Sequence, residues 1–216
     1  EFTAGMARAY IEHGFVNMPQ PVRLYTLGSV FRYERPQAGR FREHHQWSVE
    51  VIGDQHPILD AEVMMLALRF FKALGITVTV EINSIGCATC RPPYREALVA
   101  YYRTRKKNLC EDCQRRLQKN PMRLLDCKEP TCQPFKEGAP QIVDALCESC
   151  KNHFIKVLEY CDAGGVQYVL ATHLVRGLDY YTKTVFEFYT TRVTGEGETR
   201  IALGGTMTPA ELAKFM

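Results

Sequence analysis

FRYERPQAGRFREHHQWSVEVIG, residues 31–53, decides how the chain reads. Phe31 and Tyr33 alternate with Arg32 and Glu34, and Trp47, Val49 and Val51 alternate with Gln46, Ser48 and Glu50. Period two marks strands, because successive side chains leave a strand on opposite faces. Two such runs around RPQAG, with its Pro36 and Gly39, predict an antiparallel hairpin. The aromatic and valine face is expected to be the buried one. Arg32, Arg35, Arg40 and Arg42 crowd the turn, and two readings are open. They can form a solvated basic edge that discourages strand aggregation. They can also clamp a polyanion, since guanidinium groups pair bidentately with phosphate. Gln46 and Glu50 share the polar face beside them.

Upstream, TAGMARAYIEHG predicts a helix from about Thr3 to Gly14, and NMPQP breaks it. VRLYTLGSVFRYE is then the first hairpin strand, with Gly28 as a candidate bulge. Downstream, PILDAEVMMLALRFFKALG predicts an amphipathic helix of about five turns, stopped by Gly75. Met64, Met65, Leu68 and Phe71 are core-type positions on it. ITVTVEINSIG is a strand that leads straight into Cys87. CKNHFIKVLEYCDAGG returns to helix, and VQYVLATHLVRGLDYYTKTVFEFYTTR to strand. Strand runs with hairpin-like neighbours and intervening helices predict an α+β fold around an antiparallel sheet.

The chain has 216 residues, 46% hydrophobic, enough for a real core in one or two domains. A net charge of +3 is too small for wholesale coating by nucleic acid. No apolar run approaches the roughly 18 residues that span a bilayer, and no signal-peptide pattern is visible. A cytoplasmic protein without a membrane partner is expected. The sequence begins at Glu1, without Met and inside an ongoing pattern, so a fragment is expected.

Nine cysteines are many for such a setting, and their spacing says more than their number. Cys87 and Cys90, Cys110 and Cys113, Cys127 and Cys132, and Cys147 and Cys150 form four close pairs. A Cys-x-x-Cys turn aims both sulfurs at one point, and a tetrahedral ion takes two such turns. Two zinc sites of four cysteines each are expected, pairing Cys110 and Cys113 with Cys127 and Cys132, and Cys87 and Cys90 with Cys147 and Cys150. The rival is a secreted disulfide framework. Cys161 stands alone on a helix and reads as a small core residue. Residues 87–150 hold 12 Lys+Arg and 8 Asp+Glu. Their basic charge clusters at Arg103 to Lys107 and Arg115 to Lys119, and the segment reads as an inserted module.

The second chemical segment is LVRGLDYYTKTVFE. Arg176, Asp179, Tyr180 and Tyr181 lie in an apolar frame beside Gly177, where backbone can approach a ligand closely. Alone, such a segment is more often a turn with a buried Tyr than a site. Together with NSIG, EFTAG and FRYERPQAGRFREHHQ, the chain resembles the histidyl-tRNA synthetases, a class II aminoacyl-tRNA synthetase family. FRYERPQAGRFREHHQ is similar to the family's ATP-binding strand–loop–strand motif. LVRGLDYYTKTVFE is similar to its histidine-specific motif, and EFTAG to the end of its Arg-Pro-Glu-x-Thr-Ala segment. The resemblance runs from Glu1 to about Gly205.

The resemblance implies ATP-dependent ligation of histidine to tRNA(His) through a histidyl-adenylate. ATP with Mg2+ would be substrate and zinc structural, in a cytoplasmic homodimer. Arg32 and Arg176 would be catalytic, stabilising charge on the α-phosphate as pyrophosphate leaves. Arg32, Glu34, Arg40, Arg42 and His44 would bind ATP, with His44 where an aromatic, usually Phe, stacks on adenine. Glu1, Thr3 and Gln46 would hold the amino end of histidine; Glu50 and Tyr181 would face its imidazole, with Arg176 and Tyr180 completing the pocket. The class II sheet would occupy residues 1–86 and 166–205. The Cys-rich, mainly helical zinc module would span 87–165 and reach toward the tRNA acceptor stem. After IALGG the family continues Gly-Arg-Tyr-Asp; here TMTPAELAKFM follows, and 206–216 is left unassigned. With flanking motifs of the family absent, the chain alone is expected to be inactive. Two rivals are a catalytically silent paralogue that regulates histidine biosynthesis and a free-standing RNA-binding zinc module.

Overall fold

The computed structural model describes residues 2–33, 35–36, 41–175, 181–194 and 197–209. They form two compact units, one up to Leu59 and one from Asp60 onward. The first begins with α1 (Thr3–Glu12). Gly14, at φ +68°, ends that turn in the left-handed region, where a Cβ would be strained. Strands β1 (Val22–Phe31) and β2 (Glu43–Ile52) follow as an antiparallel pair. Their register runs without interruption from Val22↔Ile52 to Phe31↔Glu43.

That register corrects the bulge expected at Gly28, which pairs directly with Gln46. A Cβ on Gly28 would meet the Phe2 ring at 3.5 Å, an ordinary contact distance, so the N-terminal residues lie over this face of the hairpin. The buried face is also corrected. Phe31 is 71% exposed and Tyr33 98%, and Tyr25 and Leu27 are exposed with them, whereas Ser48 is only 8% exposed. Trp47, Val49 and Val51 are half-buried. Period two fixes which side chains share a face; it does not say which face the next element covers. Here Phe2 meets Gly28 and Thr3 bonds to Glu50, so the polar side of the hairpin is the covered one.

The second unit holds α2 (Pro57–Ala73), β3 (Thr79–Ser84), α3 (Arg91–Arg103), α4 (Glu111–Lys119), α5 (Glu148–Ala163), β4 (Tyr168–Leu170), β5 (Tyr181–Thr194) and β6 (Gly197–Pro209). The sheet order is β4-β3-β5-β6, antiparallel except for the β3–β4 pair. Thr206 to Pro209, unassigned from the sequence, extend β6 against β5. Ala61 and Met64 of α2, Phe154, Val157 and Cys161 of α5, Val80 and Ile82 of β3, and Phe186 and Phe188 of β5 share one core. Each large side chain so buried contributes about 1.5–3 kcal/mol. Met65, Leu68 and Phe71 pack at its margin. Cys161 is fully buried there, and burial pushes its thiol pKa up to about 11.

A second core is separate. Tyr94, Leu98 and Tyr102 of α3 pack with Leu109, Leu117, Leu124, Leu125 and Ile142, and with Cys113, Cys127 and Cys132. Short 3-10 turns connect these elements between Lys106 and Ala145. Tyr94 Oη donates to the Pro140 carbonyl and Tyr102 Oη to that of Phe135, so both buried phenols are satisfied. No helix of the described residues is long and apolar enough to cross a membrane.

Candidate active site and candidate metal centres

On the covered face of the hairpin, Thr3 Oγ1 donates to Glu50 Oε1 at 2.7 Å. Burial raises the Glu50 carboxyl above its ordinary pKa, with the Thr3 hydroxyl acting in the opposite direction. Four residues earlier on β2, Gln46 Nε2 donates to Ser48 Oγ at 2.6 Å. Gln46, Ser48 and Glu50 thus make a polar row that faces Thr3. Ser48 was placed on that face by the alternation of the strand but was given no role there.

Arg32 and Arg42 lie beyond the last strand pair, and the Arg32 amide donates to the Arg42 carbonyl at 2.8 Å. Both side chains are exposed, and the Arg42 guanidinium lies 5.2 Å from the Tyr33 ring centroid. His44 is half-buried opposite Val30. Glu1, Glu34, Arg40, Arg176 and Tyr180 lie outside the described residues.

In the second unit, Tyr181 opens β5 and packs against Ile85 and Val185. The segment before it is anchored by Asn83. That side chain is 1% exposed and donates to the carbonyls of Thr172 and Leu174, at 3.2 and 3.1 Å. Asn83 was not singled out, although a buried amide ending the apolar strand VEINS demands partners. On the opposite side of β3 and β5 from the core, Arg200 pairs with Glu81 and lies over the Tyr189 ring, whose hydroxyl bonds to Glu187.

The eight paired cysteines gather into two groups: Cys87, Cys90, Cys147 and Cys150, and Cys110, Cys113, Cys127 and Cys132. Within each group the sulfurs all lie within 4.8 Å of one another. This is the grouping expected from the spacing. All nine cysteines are free thiols in the structure. A zinc tetrahedron with Zn–S of about 2.3 Å has S···S edges of about 3.8 Å. Observed separations are 3.6 Å for Cys87–Cys90, 3.9 Å for Cys87–Cys147 and 3.8 Å for Cys110–Cys127. Backbone amides also point at the sulfurs: Cys147 N–H to Cys90, Cys113 N–H to Cys110, and Cys110 N–H to Cys132. Such donors stabilise thiolates. Burial alone would raise the Cys87 thiol, yet donors from Cys90, Thr89 and Cys150 outweigh it and bring it down to about 6. The sulfur spacing of both groups, with these amide donors, fits a thiophilic divalent ion.

Comparison with known proteins agrees with this geometry. A family model described as histidyl-tRNA synthetase matches residues 1–90. The histidine–tRNA ligase of Desulforamulus reducens is 48% identical over 191 residues, covering 88% of this chain and 46% of the relative. That of Caldicellulosiruptor bescii is 50% identical over 192 residues, again covering 88% and 46%. The crystal structure of apo histidyl-tRNA synthetase from S. aureus superposes with a TM-score of 0.71 at 36% identity, covering 95% of this chain and 48% of that one. The chain thus spans about half the length of the relatives it matches. On sequence and fold together, it belongs to the histidyl-tRNA synthetase family.

Proposed function

We propose that this chain contributes the ATP-binding and histidine-binding parts of an enzyme that ligates histidine to tRNA(His) through a histidyl-adenylate. The observation that carries the reading is the Thr3–Glu50 pair on the covered face of the hairpin. An imidazole N–H needs an acceptor, and a half-buried carboxylate supplies one whose burial is costly until a donor arrives. A pocket built this way rejects isosteres that lack the donor. Gln46 would take the amino end of histidine together with Thr3 and Glu1; the family resemblance gives Tyr181, Tyr180 and Arg176 a histidine-binding role as well.

Arg32 would hold the α-phosphate of Mg2+-bound ATP and stabilise its charge as pyrophosphate departs, with Arg176 as the second cation. Glu34, Arg40, Arg42 and His44 would hold the rest of the nucleotide. Exposed arginine side chains at a hairpin tip suit a ligand that arrives from solvent. In the second step the histidyl group passes to the 3′ end of tRNA.

The segment 87–165 is proposed as an inserted module whose two four-cysteine groups hold structural zinc. Zinc would cross-link chain segments and make metal binding part of folding. Arg103, Lys106, Lys107, Arg115 and Lys119 are exposed on it and suit the phosphates of the tRNA acceptor stem. A cytoplasmic homodimer belongs to the same reading, as does inactivity of the 216 residues alone. The direct test is charging. A protein of the relatives' full length that carries this chain should attach histidine to tRNA(His); failure with a folded, zinc-loaded protein would refute the function.

A further inference from the structure

We propose that the Cys87/Cys90/Cys147/Cys150 site, loaded with a zinc-class ion, is a positioning clasp for the Tyr181–Lys183 segment. The inference rests on Tyr181 being a histidine contact only where it concerns substrate; the clasp itself rests on backbone geometry.

The four ligands come from two places, the turn just after β3 and the first turn of α5, about sixty residues apart in sequence. An ion there closes the base of everything between Cys90 and Cys147. Directly before the first ligand stands Gly86, at φ +62°. A Cβ on it would lie 2.6 Å from Cys90 Cβ, so the turn is pressed against the metal-site residues with no room for a side chain.

The Gly86 carbonyl faces the other way. It accepts from the Lys183 amide and from Thr182 Oγ1, both at 2.9 Å. The Ile85 amide donates to the Lys183 carbonyl at 2.8 Å, and Ser84 Oγ donates to the same carbonyl at 3.2 Å. Lys183 thus has its N–H and its C=O both bound to residues 84–86. It needs that support, because it sits at φ +59°, a region a lysine rarely adopts. On the opposite side the β5–β6 register shifts between Thr182 and Val185. Ile85 also packs against Tyr181. The path from ion to Tyr181 is therefore Cys87, Gly86, then Thr182 and Lys183.

The other group of four cysteines offers a contrast within the same chain. Its ligands lie in one stretch, Cys110 to Cys132, and three of them belong to the module's own core. Its contact with β5 is one of packing, through Met122 against Ile85 and Val185. An ion there holds the module together without joining the backbone path from Cys87 to Lys183.

The test uses the full-length protein loaded with cobalt(II), whose thiolate charge-transfer absorption counts the filled sites, together with amide exchange at Ile85 and Lys183. Cys147→Ser should lose one cobalt, speed exchange at both amides about tenfold or more, and raise the KM for histidine more than that for ATP. Cys127→Ser should also lose one cobalt but leave both amides protected. Thr182→Val should keep both cobalts and still speed exchange at Lys183, which covers the case in which Cys147→Ser does not fold. Faster exchange with an unmoved histidine KM would uphold the clasp and reject Tyr181 as a histidine contact. Unchanged exchange in Thr182→Val, or in a folded Cys147→Ser that has lost its cobalt, would overturn the clasp.

Discussion

The hairpin and the Cys-rich segment solve opposite problems. The hairpin is two strands and a helix, with one face turned to solvent and its candidate ligand groups on the other. Its polar row is half-satisfied by itself: Thr3 serves Glu50, and Gln46 serves Ser48. In the proposed function these internal hydrogen bonds would be exchanged for bonds to a ligand. The Cys-rich segment has its own core and two groups of four sulfurs already at tetrahedral spacing. In the proposed function an ion would complete each group and hold it fixed. The difference teaches where chemistry and where scaffolding should be sought in this chain.

Mutation of the hairpin tip should separate the two most sharply. In the full-length protein, Arg32→Ala should slow adenylate formation by about two powers of ten or more, as expected for losing a donor to developing charge. Single-turnover rapid quench measures this, and histidine binding should change far less. A near-normal rate would return the arginines to the role of a solvated basic edge.

Metal removal should strike the other region. The protein should carry two zincs per chain, counted by elemental analysis. A chelator should unfold 87–150 before the β3–β5 sheet, because such sites tie folding to metal. Exchange-resolved unfolding in which the sheet opens first, or protein with eight metal-free thiols after purification without chelator, would erase the contrast.

Glu50 tests whether the hairpin has given up stability for function. A carboxyl whose folded pKa is raised stabilises the fold fully below its unfolded pKa of about 4.5. That contribution is lost as pH rises through the folded pKa. At neutral pH the charged, desolvated Glu50 therefore costs stability. Glu50→Gln should raise the melting temperature of the ligand-free protein at pH 7 and lose that advantage toward pH 4. The same change should weaken histidine binding about tenfold or more, since an amide is a poorer acceptor than a carboxylate. Unaltered histidine affinity would remove Glu50 from the pocket.

The smallest effect is expected on the module's basic edge. Replacing Lys106 and Lys107 by Ala should weaken tRNA binding several-fold at low salt and reduce the salt slope by about 0.9 for each lost phosphate contact. Filter binding across a salt series checks it. A constant slope would place the acceptor stem elsewhere.

What was legible in the sequence follows the same division. Four close cysteine pairs can meet in three ways, and spacing does not choose among them; the grouping that joins the two neighbouring inner pairs and lets the outer two close the insertion is the one the structure holds. Helix positions were legible where local pattern dictates them, as with α2 and its stop before Gly75, whereas the run over residues 166–192, read as one stretch of strand, holds the separate strands β4 and β5. The hairpin's covered face was not, because the partner of a sheet face is a tertiary fact; Phe2 on Gly28 decided it. The left-handed Lys183 left no trace either, since lysine does not announce that conformation. Thr206 to Pro209 read as a tail because pairing with β5 is visible only once both strands exist. Thr3 and Glu50 were named through the family resemblance, whereas their direct bond could be seen only in three dimensions.

The central claim is that this fold activates histidine. The most direct measurement is ATP–pyrophosphate exchange by the zinc-loaded, full-length protein, without tRNA, run with histidine and with other amino acids. The account predicts rapid exchange that depends on histidine alone and is abolished by Arg32→Ala. A folded, metal-replete protein that binds histidine but exchanges no pyrophosphate would contradict it and point to the non-catalytic, regulatory paralogue.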